Sequence, residues 1–171
     1  YVHTAILADL QGPKIRVGEF DKPIVLKKGA EVIFSTKKKK DTIYINYQGF
    51  AKDVQPKDRV LLDDGKLALE VVSTNKKDAV ILKVIFGGLL HSRKGVNLPN
   101  TKISLPCLTL KDKEDLAFIL TEKIEWIGLS FVRSANDVKI LKKIIDKQKL
   151  HHRVIAKIEK PEAIKDIDAI I

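Results

Sequence analysis

Cysteine and aromatic residues are scarce in this chain of 171 residues. The single cysteine, Cys107, excludes an internal disulfide, which suits a reducing compartment. We expect Cys107 to be a packing residue, because no neighbour in the sequence would lower its pKa. Aromatic residues make up only 6% of the chain and arginines are few, whereas modules that bind single-stranded nucleic acid combine basic grooves with aromatic side chains.

Long hydrophobic runs are also missing. No apolar run reaches the roughly 18 residues that a membrane span needs, and the first residues do not resemble a signal peptide. We therefore expect a cytoplasmic protein without a membrane partner. The hydrophobic fraction of 44% is ordinary for a globular protein, and the sequence shows no internal repeat or low-complexity linker.

Positive charge is present in excess. The net charge of +10 favours an anionic partner, which leaves nucleic acid, a membrane surface and a phosphorylated metabolite as classes. Lysine supplies most of the excess, and the run from Lys37 to Lys40 lies between strand-like segments. We predict that this run is a solvated turn.

Residues 17–103 have the pattern of an antiparallel β domain, with short alternating segments separated by turn residues. Asp64-Gly65 predicts a hairpin with a type I′ turn, because both central residues of that turn need a positive φ. A glycine-rich basic loop follows from Gly87 to Gly95, and such loops can cradle phosphate. The predicted strands are Glu31–Thr36, Thr42–Asn46, Arg59–Leu62, Leu67–Ser73 and Ala79–Ile85.

The flanking parts, residues 1–16 and 104–171, have an α/β pattern. Their apolar runs predict parallel strands at Thr4–Asp9, Trp126–Phe131 and Val154–Glu159. Thr109-x-x-Asp112 and Ser134-x-x-Asp137 predict capping boxes at the starts of two helices, and Pro161 predicts the start of a third helix.

Lys157 and Glu159 interrupt the end of the last predicted strand. Side chains at i and i+2 of a strand point to the same side, so this cation and this anion should project together. Parallel strand ends are where α/β proteins place their chemistry, although an isolated pair is also consistent with a simple salt bridge. Asp9, at the end of the first predicted strand, is equally consistent with a turn cap and a ligand.

The fold class that these patterns predict is α/β plus all-β: a partial (β/α)₈ barrel of about three strands with an inserted antiparallel β domain. A complete barrel needs about 250 residues. The chain is therefore expected to be an excerpt from a larger enzyme, and its α/β parts should expose apolar faces unless something covers them.

Several stretches together resemble the pyruvate kinase family. They occur in the family's order over essentially the whole chain. The stretches are Asp9-Leu10-Gln11-Gly12-Pro13-Lys14-Ile15-Arg16, Leu62-Asp63-Asp64-Gly65, Gly87-Gly88, Lys94-Gly95-Val96-Asn97-Leu98-Pro99, Leu110-Lys111-Asp112, Ser130-Phe131-Val132-Arg133 and Lys157-Ile158-Glu159.

The resemblance implies an enzyme that transfers the phosphoryl group of phosphoenolpyruvate to ADP, giving pyruvate and ATP. It also implies that the inserted β barrel is a lid and that the full-length enzyme is a homotetramer. Lys157 is expected to be the catalytic residue on the transferring phosphoryl group, where it stabilises transition-state charge. Glu159 is expected to be one of two carboxylates that hold Mg²⁺ or Mn²⁺.

The nucleotide side of the site is implied in the same way. Arg16 resembles the arginine that contacts substrate and nucleotide phosphate. Lys94 matches the lid lysine that reaches the nucleotide, and Asp64 matches an acidic residue at the lid tip. Ser130 and Phe131 match residues that line the monovalent-cation side.

The family's potassium site is altered here. Asp9 and Leu10 stand at its ligand positions, Leu10 through its backbone oxygen. Many members read Gly-Pro-Glu where this chain has Lys14, and in the family a lysine goes with potassium-independent enzymes. The Lys14 ammonium can supply the charge of the ion, and Asp9 can pair with it. We therefore expect that K⁺ is not required.

Other conserved parts of the family's site and its effector domain are absent from these residues, so the 171-residue chain alone is expected to be inactive. Two alternatives remain. One is a basic β-barrel module that binds nucleic acid on an α/β scaffold, although we expect no nucleic-acid partner. The other is a carbon–carbon lyase related through phosphoenolpyruvate, against which the Lys94-Gly95-Val96-Asn97 motif argues.

Overall fold

The structure, a computed structural model, describes residues 4–171. The predicted segment 1–16 thus includes three residues that lie outside the described part. The described chain forms two compact units: one runs to Pro13 and resumes from Leu105 to Ile171, and the other is Lys14–Ser104. Its strands are β1 Leu7–Leu10, β2 Ile24–Leu26, β3 Glu31–Ser35, β4 Ile43–Tyr44, β5 Arg59–Leu62, β6 Leu67–Thr74, β7 Ala79–Phe86, β8 Gly88–Leu90, β9 Val96–Asn97, β10 Trp126–Leu129 and β11 Arg153–Ala156. Its helices are α1 Phe50–Asp53, α2 Leu110–Ile119, α3 Ala135–Lys147, α4 Pro161–Lys165 and α5 Ile167–Ile170.

The first unit, which we call the α/β unit, contains a parallel sheet of order β1-β10-β11. Central β10 has neighbours on both sides, and Ile127 and Leu129 are fully buried. The outer strands are less buried: Leu7 in β1 is 50% and Ile155 in β11 is 39% exposed. The predicted exposure of apolar residues in this part is confirmed.

Helices α2 and α3 contribute apolar side chains to the core of the α/β unit. Thr109 forms the predicted capping box with Asp112. The second predicted box is not formed: the Ser134 side chain does not cap α3, and the Asp137 carboxylate accepts instead from the Arg133 amide. The core residues are Leu10, Cys107, Leu108, Leu116, Ile119, Leu120, Ile127, Leu129, Val132, Val138, Leu141 and Ile145.

The segment after Pro161 differs from the single predicted helix. It breaks at Asp166 into α4 and α5, and the Asp166 carboxylate accepts from the Ala135 amide at 2.8 Å. The tie to α3 explains the break, since the backbone at Asp166 (φ −111°, ψ 17°) departs from helical geometry where its side chain caps another helix. Ile164 and Ile171 are exposed.

The second unit, which we call the β unit, has a six-stranded sheet of order β4-β3-β7-β6-β5-β9 and the pair β2-β8. Its two edges meet at one short segment: Val17 bridges Ile45 beyond β4, and Arg16 bridges Gly95 before β9. Residues 16 and 17 therefore bridge both edges of the sheet. The pairing is antiparallel except between β3 and β4, which are parallel, a mixture that the sequence pattern did not predict.

The predicted hairpin at Asp64-Gly65 is present as a loop of two overlapping turns. The Gly65 amide donates to the Leu62 carbonyl and the Lys66 amide to the Asp63 carbonyl. Asp63, Asp64 and Gly65 all have positive φ values, of 49°, 57° and 86°. The loop is thus longer than a two-residue hairpin turn. The run from Lys37 to Lys40 is exposed between β3 and β4, as predicted.

Candidate active site

Three charged groups meet at the carboxyl ends of the parallel strands in the α/β unit. Asp9 lies in β1, and Lys157 follows directly after β11. The Lys157 ammonium lies 2.8 Å from Asp9 Oδ1 and 2.9 Å from Oδ2. It also lies 3.6 Å from Glu159 Oε1, so one cation bridges two carboxylates.

The predicted strand is shorter than the pattern suggested, because β11 ends at Ala156. The Lys157 amide still donates to the Leu129 carbonyl at 3.0 Å, which continues the pairing with β10 one residue further. Glu159 Oε2 accepts from the Phe131 amide at 3.2 Å. These two contacts keep both side chains on one side, as the i and i+2 spacing predicted.

Asp9 is the largest cause of the raised pKa of Lys157, through its hydrogen bond; Glu159 adds to it and partial burial opposes it. The side chain of Lys157 is 31% exposed and that of Asp9 55% exposed, so a solute can reach both groups. Lys157 therefore stays an ammonium at neutral pH. It offers a fixed positive charge and hydrogen-bond donors, and it has no tendency to lose its proton.

Small residues let the chain pass closely behind this cluster. A Cβ on Gly128 would lie 2.9 Å from Asp9 Oδ1, so glycine in β10 makes room for the carboxylate. Gly12 has φ +67°, and a Cβ there would lie 2.8 Å from the Phe131 ring. The Ser130 hydroxyl donates to the Leu10 carbonyl at 2.6 Å, which fixes the strand exit beside Gly12.

Asp112 holds the Gly12 turn, a role that the sequence did not reveal. Its side chain is fully buried, and Oδ1 accepts from the Gly12 amide at 3.0 Å. Oδ2 accepts from the Thr109 amide at 2.9 Å and from the Thr109 hydroxyl at 2.6 Å. The capping box was visible as a helix start, but its second use across about 100 residues has no local signal.

Lys160 and Phe131 form a second layer beside Glu159. Lys160 is only 7% exposed, and its ammonium lies 6.0 Å from the centre of the Phe131 ring. Burial lowers the pKa of Lys160, and Arg133 acts in the same direction, while Glu162 and Glu159 oppose the shift. The sequence predicted no role for this lysine.

Cys107 is buried, as expected of a packing residue. Its Sγ donates to the Ser130 carbonyl at 3.0 Å. Burial is the largest cause that raises the pKa of its thiol to about 12. The thiol is therefore neutral and unreactive at neutral pH.

A cavity of about 470 Å³ lies at the opposite, amino ends of the same strands. Trp126, the single tryptophan, lines it, and the Arg153 guanidinium lies 5.1 Å from the centre of a Trp126 ring. His152 is half-buried, and its Nδ1 lies 2.7 Å from the Ile124 carbonyl oxygen, to which it can donate. His151 is exposed.

The remaining predicted residues lie in the β unit. The Lys94 ammonium pairs with Asp63 Oδ1 at 2.7 Å, whereas Asp64 is exposed and takes no part in that pair. This hydrogen bond is the largest cause that lowers the pKa of Asp63. The acidic neighbour of Lys94 is thus the first aspartate of the turn. Asp63 is thus a further residue whose role the sequence did not reveal.

Arg16 lies beside the same basic loop. Its guanidinium is exposed and donates from Nη1 to the Arg93 carbonyl at 3.0 Å. The Lys94 carbonyl accepts from the Val17 amide at 3.0 Å, so the structure brings the backbones at Arg16 and Lys94 together. Lys14 is exposed in this unit as well. The predicted residues therefore form two sets, one in each unit.

Within residues 4–171, no group of three or more His, Cys, Asp or Glu side chains is arranged to hold a metal ion. Nor does any helix in this range have the length and apolar character of a membrane-spanning segment.

Accessible charged side chains at the carboxyl ends of parallel strands are typical of ligand-binding sites in α/β proteins. The sequence model of the family described as "Pyruvate kinase, barrel domain" matches residues 2–171. The chain belongs to the pyruvate kinase family.

Individual relatives agree with this assignment. The chain is 44% identical over 170 residues to a pyruvate kinase of Corynebacterium glutamicum and 41% identical to one of Mycobacterium tuberculosis. Each alignment covers 97% of this chain and 36% of the relative. Pyruvate kinase 2 of a Synechocystis species is 44% identical over 174 residues, which is 29% of its length. The chain thus spans about a third of the curated relatives it matches.

Proposed function

We propose that this chain is part of an enzyme that transfers the phosphoryl group of phosphoenolpyruvate to ADP. Family membership supports the reaction class, and the observation that carries the proposal is the Lys157 ammonium held between Asp9 and Glu159. Phosphoryl transfer needs positioning and neutralisation of charge more than covalent chemistry. A reachable ammonium at the strand ends can supply both.

The protonation state of Lys157 defines its proposed role. A general acid works best with a pKa near the operating pH. The hydrogen bond to Asp9 raises the pKa of Lys157, which moves it further from neutral pH. Lys157 is therefore proposed to act as a permanent charge on the phosphoryl oxygens. To reach them, its ammonium exchanges the Asp9 carboxylate for the incoming phosphate.

Glu159 suits an Mg²⁺ ion that is shared between the protein and the substrate, rather than one held by the protein alone. Glu159 is a hard oxygen ligand, its side chain is 37% exposed, and one of its oxygens is oriented by the Phe131 amide. Mg²⁺ is commonly held by one or two carboxylates together with substrate oxygens and waters. When bound, the ion would neutralise substrate charge; Mn²⁺ has the same ligand preference.

In the β unit, Arg16 and Lys94 are proposed to bind nucleotide phosphate. Arg16 presents a guanidinium fork to solvent and is anchored through one nitrogen. Lys94 is half-exposed and already held by an acid, so nucleotide phosphate would compete with Asp63 for its ammonium. Asp64 remains proposed as an exposed acid at the tip of the same turn.

Independence from K⁺ is also proposed, on the basis of Lys14. Asp9, the expected ligand of the ion, is paired with Lys157 here, and the Leu10 carbonyl accepts the Ser130 hydroxyl. Activity of the full-length protein should be the same in potassium and in tetramethylammonium salts. A strong requirement for K⁺ would contradict this part of the proposal.

The main test is a phosphoenolpyruvate-to-ADP assay on the full-length protein with Lys157→Met. Loss of one preorganised charge contact typically costs about 10²- to 10³-fold in kcat, and a loss of that size is expected. Lys165→Met, at an exposed position on α4, is the matched control and should have the wild-type rate. Equal rates for wild type and Lys157→Met would remove Lys157 from the reaction.

A binding test separates this function from a nucleic-acid module. The 171-residue chain should bind ADP and lose that binding in Arg16→Gln, while producing no pyruvate itself. Oligonucleotide binding that falls steeply with salt, with no ADP binding, would favour the alternative.

A further inference from the structure

Phe131 adopts a backbone conformation that aromatic residues seldom use. Its φ is +55°, in the left-handed region that is unfavourable for residues with a Cβ. In this conformation its amide donates to Glu159 Oε2 at 3.2 Å. The orientation of that carboxylate therefore depends on what keeps Phe131 in an unfavourable conformation.

Gly12 and Lys160 both lie beside the Phe131 ring. Even a methyl group on Gly12 would come within 2.8 Å of ring atom Cδ2. The Lys160 ammonium lies 6.0 Å from the ring centre. Gly12 is fixed in turn by the buried Asp112 carboxylate.

Lys160 is an unusual residue for such a position. Lysine side chains are seldom buried, and this one is 7% exposed and directly follows Glu159. A cation over an aromatic face is attracted by the ring quadrupole, and the attraction grows when water is excluded. Burial of Lys160 thus strengthens its contact with Phe131.

We propose that Lys160 is a positioning residue for Glu159: its ammonium holds the Phe131 ring against Gly12, and the Phe131 amide then orients the carboxylate. Lys160 does not touch substrate in this scheme. The proposal rests on the proposed function where it assigns Glu159 to a divalent metal ion. The contact between Lys160 and Phe131 stands independently of that assignment.

The first experiment needs no metal. The exchange rate of the Phe131 amide proton is measured by NMR in the wild type, Lys160→Met, Phe131→Leu and the double variant, with residue 131 followed in each. Methionine keeps most of the buried aliphatic part of the lysine side chain. If Lys160 only fills space, the exchange rate of the Phe131 amide should therefore not change. Loss of the cation–ring contact should raise the exchange rate about 3- to 30-fold. The double variant should resemble the single ones, because both remove the same contact.

Lys165→Met is the control, because it removes a lysine that is nearby in the sequence but exposed. Unchanged Phe131 exchange in Lys160→Met, or additive effects in the double variant, would overturn the proposal. A variant that fails to fold is recognised by circular dichroism, and Lys160→Gln then replaces Lys160→Met with the same expected increase.

The second experiment measures Mn²⁺ binding to the full-length protein by electron paramagnetic resonance. Lys160→Met should weaken binding about 3- to 30-fold, although it removes a positive charge, which by simple electrostatics would strengthen it. Glu159→Gln separates the assignment of Glu159 to the metal ion from the positioning role of Lys160. If that variant binds Mn²⁺ like the wild type, the metal assignment of Glu159 fails, whereas the amide exchange still decides the role of Lys160. Stronger Mn²⁺ binding in Lys160→Met would contradict positioning.

Discussion

The buried carboxylate of Asp112 offers a sharp test of how the α/β unit is held together. Asp112→Asn keeps the size of the side chain but leaves one acceptor oxygen where the structure uses two. Either the Gly12 amide or the Thr109 donors then face an NH₂ group. Hydrogen bonds to charged groups contribute about 1.5–3 kcal/mol each, and loss of a helix cap costs about 0.5–2 kcal/mol. We expect Asp112→Asn to lower the free energy of unfolding by about 2–4 kcal/mol.

Urea unfolding followed by Trp126 fluorescence measures this effect, because the only tryptophan begins β10 of the same unit. Asp115→Asn is the matched control on the same helix: it breaks only an exposed pair with Lys111, and exposed ion pairs contribute little to stability. If Asp112→Asn destabilises the unit no more than Asp115→Asn does, the three hydrogen bonds assigned to Asp112 do not contribute as described.

Three further outcomes follow from local geometry. Gly12→Ala should destabilise more than Gly65→Ala in thermal unfolding, since both glycines have positive φ but only Gly12 would clash with a ring; equal losses would dismiss the close approach. Cys107, with its pKa raised to about 12, should resist iodoacetamide at pH 8 until urea unfolds the protein, and rapid alkylation of the native form would contradict its burial. Lys94 lowers the pKa of Asp63, so the contribution of their pair to stability is complete above the ordinary value of 3.8 and is lost as pH falls through the lower folded value. Lys94→Met should therefore raise the pKa of Asp63 in an NMR titration, and an unchanged titration would show that the two do not interact.

The sequence pattern predicted the elements that depend on interactions between residues close together in the chain. Alternation found β5, β6 and β7, and the Thr109 capping box found the start of α2. Arg16 and Val17 bridge both edges of the sheet in the β unit. A segment of two residues is too short to show a recognisable strand pattern. Helix α1 has four residues, too few for a helical period to appear.

The same distinction explains the site. The i and i+2 spacing predicted that Lys157 and Glu159 share a side, and they do, although the strand ends before them. The turn motif could not decide between Asp63 and Asp64, because both have the same sequence signal and positive φ. Only tertiary structure shows that Asp63 meets Lys94. Asp112 was likewise visible as a cap but not as the acceptor for Gly12.

The charges at the strand ends also constrain the order of events. The two carboxylates and the Lys157 ammonium together carry one net negative charge, which the nearby Lys160 ammonium partly offsets at Glu159. A phosphorylated substrate that approaches this cluster alone meets repulsion, and Lys157 cannot leave Asp9 without exposing a second negative charge. A divalent cation held by Glu159 would counter both effects, because it would compensate carboxylate charge and attract the phosphate. If Glu159 holds the ion as proposed, the ion is expected to bind before, or together with, the phosphorylated substrate.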